Sequence, residues 1–315
     1  MEPTFKTSEI AYDISPYLIE YKDGTIQRLA GTEWVPPGFD PQTNVTSEDI
    51  IIIPESGVSA RIYRPSTTIH NRPILLYLHG GAFVIASPGL PYYHNFCNQL
   101  VQSTDIIIIS LDYRRAPENP LPAAFHDSWA AIEWIAAHKP DKWIHDGIDY
   151  HRLFIAGDSA GATMTHHIAC KLTDSGLGKQ ISVEGVILIH PFFRGKDPIG
   201  SEINDPRKGV VDGWWNYVCR SDKGCDDPFI NPFSDGAPEI ESVAGKRMIV
   251  LVAEEDVLKE RGKYYYDGIV KSGWKGKVEL FESKRKGHVF HIFDPDCDEA
   301  MELRRNLASF INGEI

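Results

Sequence analysis

The segment Gly157-Asp158-Ser159-Ala160-Gly161 most restricts what this chain can fold into, because it follows the apolar run Leu153-Phe154-Ile155-Ala156 and opens into a helix-like stretch. A serine between two glycines, with a strand before and a helix after, is the signature of a nucleophile elbow. The turn is so tight that the serine hydroxyl stands out at the edge of a sheet. Glycine is needed at 157 and 161 for a mechanical reason: strand and helix cross where a larger side chain would collide. The five-residue string alone recurs by chance in many proteins, so its meaning depends on the flanking elements and on partners elsewhere in the chain.

A sheet that could carry such a turn is legible around it. Short β-branched runs at 50–53, 60–63, 74–78, 106–111, 153–156, 183–189, 248–253 and 278–281 alternate with helix-like segments at 94–102, 123–137, 162–173, 259–272 and 299–310. That alternation predicts βαβ units, hence an α/β fold with a mostly parallel central sheet. Most of the runs are apolar without interruption, as strands covered on both faces must be, so helices are expected on both sides. Gly273 is placed to cap the helix that ends at Ser272. Two regions break the rhythm. Residues 1–45 are polar and rich in proline and glycine, with an Asp23-Gly24 turn; residues 192–240 read as loop with Phe192, Phe193, Trp214, Trp215, Tyr217, Phe229 and Phe233 embedded. The two together are expected to cap a pocket above the strand ends. The plainer alternative for these aromatics is a satellite core beneath long loops. A length of 315 residues then accommodates a single domain, with its cap drawn from about 1–45 and 192–240.

A serine hydroxyl attacks only when a base takes its proton and a third group orients that base. In this architecture the chain order is serine, acid, histidine. Asp256 closes the run from Ile249 and so stands just beyond a strand end, while His288 follows the next strand in Lys286-Gly287-His288-Val289-Phe290. Both lie after strands on the same side of a parallel sheet as Ser159, the edge where such sheets carry their sites. Glu254 and Glu255 compete for the acid's role and His291 for the base's, but His291 sits within an aromatic run. The negative charge on a tetrahedral intermediate needs fixed donors. His79-Gly80-Gly81-Ala82-Phe83 follows the strand at 74–78, so the N–H groups of Gly80, Gly81 and Ala82, with that of Ala160, are the expected oxyanion hole. His79 itself reads as a structural hydrogen-bonding residue. Phe83, Trp214, Trp215 and Tyr217 are the candidate substrate contacts. His288 with His291, or His166 with His167, offer no carboxylate or cysteine at ligand spacing, so neither a metal nor a cofactor is expected.

Bulk properties narrow the partners. A net charge of -12, with no basic run interleaved with aromatics, argues against nucleic acid and anionic membrane. The five cysteines, Cys97, Cys170, Cys219, Cys225 and Cys297, are odd in number and scattered, which predicts free thiols; a Cys219–Cys225 bridge is the only local pairing to consider. The start, Met1-Glu2-Pro3-Thr4-Phe5-Lys6, lacks the pattern of a secretory leader, and Asn312-Gly313-Glu314-Ile315 matches no retrieval signal. No apolar run is long enough to span a bilayer. The expected location is the cytosol.

With these residues in hand, the chain resembles a plant carboxylesterase of the hormone-sensitive-lipase-like family, from about Ile14 to the end. The likeness is carried by His79-Gly80-Gly81-Ala82-Phe83, Asp112-Tyr113-Arg114-Arg115-Ala116-Pro117-Glu118, the 157–161 elbow and Gly287-His288-Val289-Phe290. Tyr21-Lys22-Asp23-Gly24 resembles the N-terminal cap of plant members, and Ser272-Gly273-Trp274-Lys275-Gly276 a stretch before the family's last strand. The resemblance implies an α/β-hydrolase fold and hydrolysis of a small-molecule ester, medium-sized and largely apolar, such as an esterified specialised metabolite. Ala82 replaces the third glycine usual in the oxyanion loop, but keeps a backbone N–H. Arg115 and Asn119 stand where leucine and histidine are usual. The same fold hosts receptors, dehydratases and cyclases, some with an altered triad. A lyase or cyclase using His288 or a tyrosine such as Tyr217 or Tyr264, Tyr265 or Tyr266 is the first alternative, and a small-molecule receptor the second.

Overall fold

Continuous apolar strands bury both faces only if helices cover both, and the chain achieves this around one large sheet. The computed structural model describes residues 9–67, 71–137 and 147–314; the readings of the termini at 1–6 and Ile315 lie outside them. Strands β1 (Ile10–Ile14), β2 (Leu18–Tyr21) and β3 (Ile26–Arg28) form an antiparallel meander. The chain continues through β4 (Phe39–Asp40), β5 (Val45–Ile53), β6 (Val58–Pro65), β7 (Arg72–Leu78), α1 (Pro91–Thr104), β8 (Ile107–Asp112), α2 (Ala123–Ala136), β9 (Ile148–Asp158) and α3 (Ala160–Thr173). It ends with β10 (Val183–Ile189), α4 (Lys208–Val218), β11 (Arg247–Ala253), α5 (Lys259–Ser272), β12 (Lys277–Ser283), α6 (Phe290–Phe293) and α7 (Asp298–Asn312).

Nine strands make the main sheet in the order β12-β11-β10-β9-β7-β8-β6-β5-β4. The run from β12 to β8 is parallel, and β6, β5 and β4 add an antiparallel edge. Alternate side chains split between two cores, as the twofold period of a strand requires. Ile74, Leu76 and Leu78 pack with Ile132 of α2, Ile168 of α3 and Ile269 of α5, while Leu75 and Tyr77 face Phe96 of α1 and Leu307 of α7. Each expected strand and helix is present, most of them longer than the apolar run that announced it, and Gly273 caps α5 at φ 87°.

The two supposed loop regions correct the expectation. Residues 10–28 form the meander, and 208–218 form α4. Val211, Trp215 and Val218 of α4 are buried at spacings of four and three, a helical stripe obscured by the helix-weakening Gly209 and Gly213. Cys219 and Cys225 are both free thiols, as are the other three cysteines. Among the described residues no helix is long and apolar enough to cross a membrane.

Candidate active site

The register of the sheet decides which residues meet. Asp158 at the end of β9 lies opposite Ile189 of β10, and Ile189 lies opposite Leu251 of β11. Ser159, His190 and the loops after β11 and β12 therefore share one edge. At that edge Ser159 takes φ 52° and ψ −118°, between strand and helix. The close crossing has a visible cause: a Cβ on Gly161 would overlap the carbonyl of Leu78, and one on Gly157 would overlap the Gly161 backbone. Ser159 N–H donates to Ile189 O at 2.9 Å, and the Ser159 carbonyl accepts Phe192 N–H at 3.1 Å, locking the turn against β10.

His288 brings Nε2 to 2.8 Å from Ser159 Oγ and Nδ1 to 2.7 Å from Asp256 Oδ2. With Nδ1–H donating to the carboxylate, Nε2 is left as the acceptor for the serine proton. Asp256 Oδ1 accepts Leu258 N–H at 2.9 Å, so the acid is itself held in place. Burial disfavours charge on His288, but the Asp256 carboxylate outweighs it and holds the imidazole above its ordinary pKa. In return, burial pushes Asp256 up while His288 pulls it down further, leaving it below the usual carboxylate value. Glu254 accepts Arg285 N–H, and both His288 nitrogens are taken by Asp256 and Ser159, so neither Glu254 nor Glu255 is bonded to the base. His291 is buried against Phe96.

The loop expected to form the oxyanion hole departs from expectation at one residue. Gly80 N–H is already held by Tyr93 Oη at 2.9 Å and Asp158 Oδ1 at 3.0 Å. Asp158 also accepts the hydroxyls of Tyr77 and Tyr93, each at 2.8 Å, so this buried carboxylate fastens the elbow to the loop. Burial raises it to about 6 despite those bonds. The N–H groups of Gly81, Ala82 and Ala160 have no acceptor among the described residues and remain for an anion, with the N-terminus of α3 directly behind Ala160. Gly81, Ala82 and Phe83 all take positive φ, at 104°, 51° and 66°, so the usual glycine conformation persists where alanine replaces it. His79 is buried and stacks on Tyr113 at 4.3 Å between ring centroids.

A cavity of about 290 Å³ opens onto Ser159, Asp256 and His288. Of the four candidate contacts only Trp214 lines it. Adjacent helical residues point about 100° apart, so Trp215 turns into the core, where it packs on Phe83 at 6.2 Å. Phe83 is enclosed by Phe125 and Phe192 as well. Tyr217 turns a third way, and its hydroxyl donates to Glu20 of β2 at 2.7 Å. Sequence reasoning missed Tyr17, Arg207, Val210, Val211, Val257 and Leu258 as cavity residues. Val257 and Leu258 directly follow Asp256 and were detectable on that ground; Tyr17 belongs to the meander and gave no signal. A cleft of about 740 Å³ adjoins this cavity through Val210 and Trp214, and clefts of about 490 and 920 Å³ lie elsewhere; none of the three contains a serine hydrogen-bonded to a histidine among the described residues.

Ligand atoms of His190, Asp256 and His288 lie within 4.8 Å of one another. Hydrogen bonds account for that convergence: both His288 nitrogens are engaged as above, and His190 Nδ1 accepts Val289 N–H at 2.9 Å. His166 Nδ1 meets Tyr265 Oη at 3.0 Å and His167 Nε2 donates to the Phe229 carbonyl at 3.0 Å, so this pair does not converge on a shared point.

Comparison with known proteins adds an independent line. The profile of the α/β hydrolase fold matches residues 75–292. "Probable carboxylesterase 2" of Arabidopsis thaliana is 51% identical over 315 residues, which cover 99% of each chain. Tuliposide A-converting enzyme 1, chloroplastic, of Tulipa gesneriana is 39% identical over 320 residues, covering 99% of this chain and 80% of that protein. Among solved structures, a hyperthermophilic esterase from the archaeon Pyrobaculum calidifontis superposes with a TM-score of 0.73 at 27% identity, over 85% of both chains.

Proposed function

Since the chain belongs to the α/β hydrolase fold family, we propose that it works as a carboxylesterase in which Ser159 is the nucleophile, His288 the general base and acid, and Asp256 the group that orients and charges the base. One observation carries the assignment: the unbroken line of hydrogen bonds from Asp256 through His288 to Ser159 at the sheet edge. Ser159 Oγ attacks the ester carbonyl as its proton passes to His288 Nε2. The carbonyl oxygen becomes an anion, received by the N–H groups of Gly81, Ala82 and Ala160. His288 returns the proton to the departing alkoxide. Water then attacks the acyl-serine by the same route and releases the acid.

The cavity walls contributed by Phe192, Val210, Val211, Trp214, Val257 and Leu258 suit an apolar group. Together with the tulip relatives, named for conversion of tuliposide A, they support an esterified plant specialised metabolite as substrate. The lyase or cyclase alternative would draw on His288 or a tyrosine as acid or base. Tyr217 has its hydroxyl on Glu20, Tyr265 is buried on His166 and Tyr264 packs on Phe233, while His288 is engaged by both Ser159 and Asp256, as a hydrolase requires, so hydrolysis is the favoured reading. Five unpaired cysteines support a reducing compartment, of which the cytosol is the one proposed; a fluorescent fusion found in plastids would overturn that location. The functional test is release of p-nitrophenol from its acetate and butyrate esters. Turnover that vanishes in Ser159→Ala is expected, and equal rates for both proteins would remove the proposal.

A further inference from the structure

Val289 follows the catalytic base and takes φ 45°, ψ 33°. For a β-branched residue that left-handed conformation is strained, and it persists only where the surroundings hold it. What holds it is His190. Its Nδ1 accepts Val289 N–H at 2.9 Å, and its ring lies 5.9 Å from that of His288. His190 is itself buried, at φ 47°, directly after β10. Its own N–H donates to Leu251 O at 2.8 Å, on the strand that leads to Asp256, while the preceding carbonyl, of Ile189, accepts Ser159 N–H at 2.9 Å. Ile189 and His190, through their shared peptide unit and the His190 ring, thus tie together the three segments that carry Ser159, Asp256 and His288.

We infer that His190 is a positioning residue for the hydrolysis, whose ring nitrogen holds the turn after Gly287 so that His288 Nε2 points at Ser159 Oγ. The role requires a neutral ring, because a protonated Nδ1 cannot accept. Burial lowers its pKa to about 3, so the acceptor is available throughout the working range. The proton then resides on Nε2, which has no partner among the described residues; the ring serves only at Nδ1. The titratable groups facing it are Asp256, His288 and His291, with Asp158 acting on His288 and Arg304 on His291.

This rests on the esterase reading, and the test keeps the two apart. The purified full chain is compared with His190→Phe, which keeps a ring but no acceptor, and His190→Asn, whose amide oxygen can take the place of Nδ1. Measurements are kcat and KM for p-nitrophenyl acetate, the pH profile of kcat/KM and the unfolding midpoint. The phenylalanine variant should lose about 10²-fold in kcat with KM within about two-fold, as displacement of a catalytic group does. Its acidic limb should move to lower pH, because His288 loosened from Asp256 loses the interaction that raises it. Asparagine should restore most of the rate and return the limb. A phenylalanine variant with unchanged kcat and limb overturns the inference, as does a folded asparagine variant as impaired as phenylalanine. If phenylalanine prevents folding, the asparagine variant alone decides; if neither folds, His190 is a packing residue and the inference is wrong. Wild-type turnover that survives Ser159→Ala would instead overturn the esterase reading.

Discussion

Asp158 is buried and accepts hydrogen bonds from Tyr77, Tyr93 and Gly80, yet burial raises its pKa from 3.8 to about 6. Removing its charge by Asp158→Asn is therefore a test of how the elbow is fastened. Below pH 3.8 the acid is neutral in both folded and unfolded chains, and its full contribution to stability is present. As pH rises from 3.8 to about 6 the unfolded chain ionises first, so stability from this group falls, levelling off above about 6. The gap between those values corresponds to about 3 kcal/mol at 1.36 kcal/mol per pH unit. Asparagine has no such dependence, so the pH-dependent difference between the two proteins reports the Asp158 carboxylate together with the His288 charge it interacts with. The stability of Asp158→Asn relative to wild type should therefore improve by about 2 kcal/mol between pH 4 and pH 7, most of the full gap, on top of a constant loss from the weaker acceptor. Urea unfolding of both proteins across that range measures it. A difference that stays flat with pH would refute the claim that this carboxylate is held against its solvation. The same variant should lose kcat, since Gly80 would no longer be held by a full carboxylate.

Asp256→Asn should lower kcat by about 10⁴-fold with KM little altered, because the amide can donate to His288 Nδ1 and favour the wrong tautomer. In the wild type the acidic limb of kcat/KM should lie above the ordinary histidine value of 6.5, since Asp256 raises His288 and only the neutral imidazole accepts the serine proton; a limb below 6.5 would contradict the charge pairing described. Trp214→Ala opens the cavity and should shift preference toward longer acyl chains by about 10-fold in kcat/KM, read from acetate, butyrate and hexanoate esters. Trp215→Ala, one residue away, should leave that preference alone and cost about 3–5 kcal/mol of stability.

What the amino-acid sequence determined by itself is whatever depends on local pattern. Apolar runs broken by helical spacing specify a covered parallel sheet, and glycine at 157 and 161 admits a crossing that no side chain allows. Chain order then places Asp256 and His288 after strands on the same edge as Ser159, so the three candidate catalytic residues are legible before any coordinates. What the tertiary structure decided is direction and competition. Trp214 and Trp215 are indistinguishable as letters, and only the packing of α4 turns one toward the cavity and the other toward Phe83. Gly80 looks like an oxyanion donor until Asp158 and Tyr93, far apart in the chain, claim its N–H. His190 shows no motif at all; its role follows from the register of β10 between β9 and β11, which brings it beside a strained turn 99 residues away. Hydrogen-bond partners across such separations are set by how strands align, and a one-dimensional pattern carries no record of that alignment.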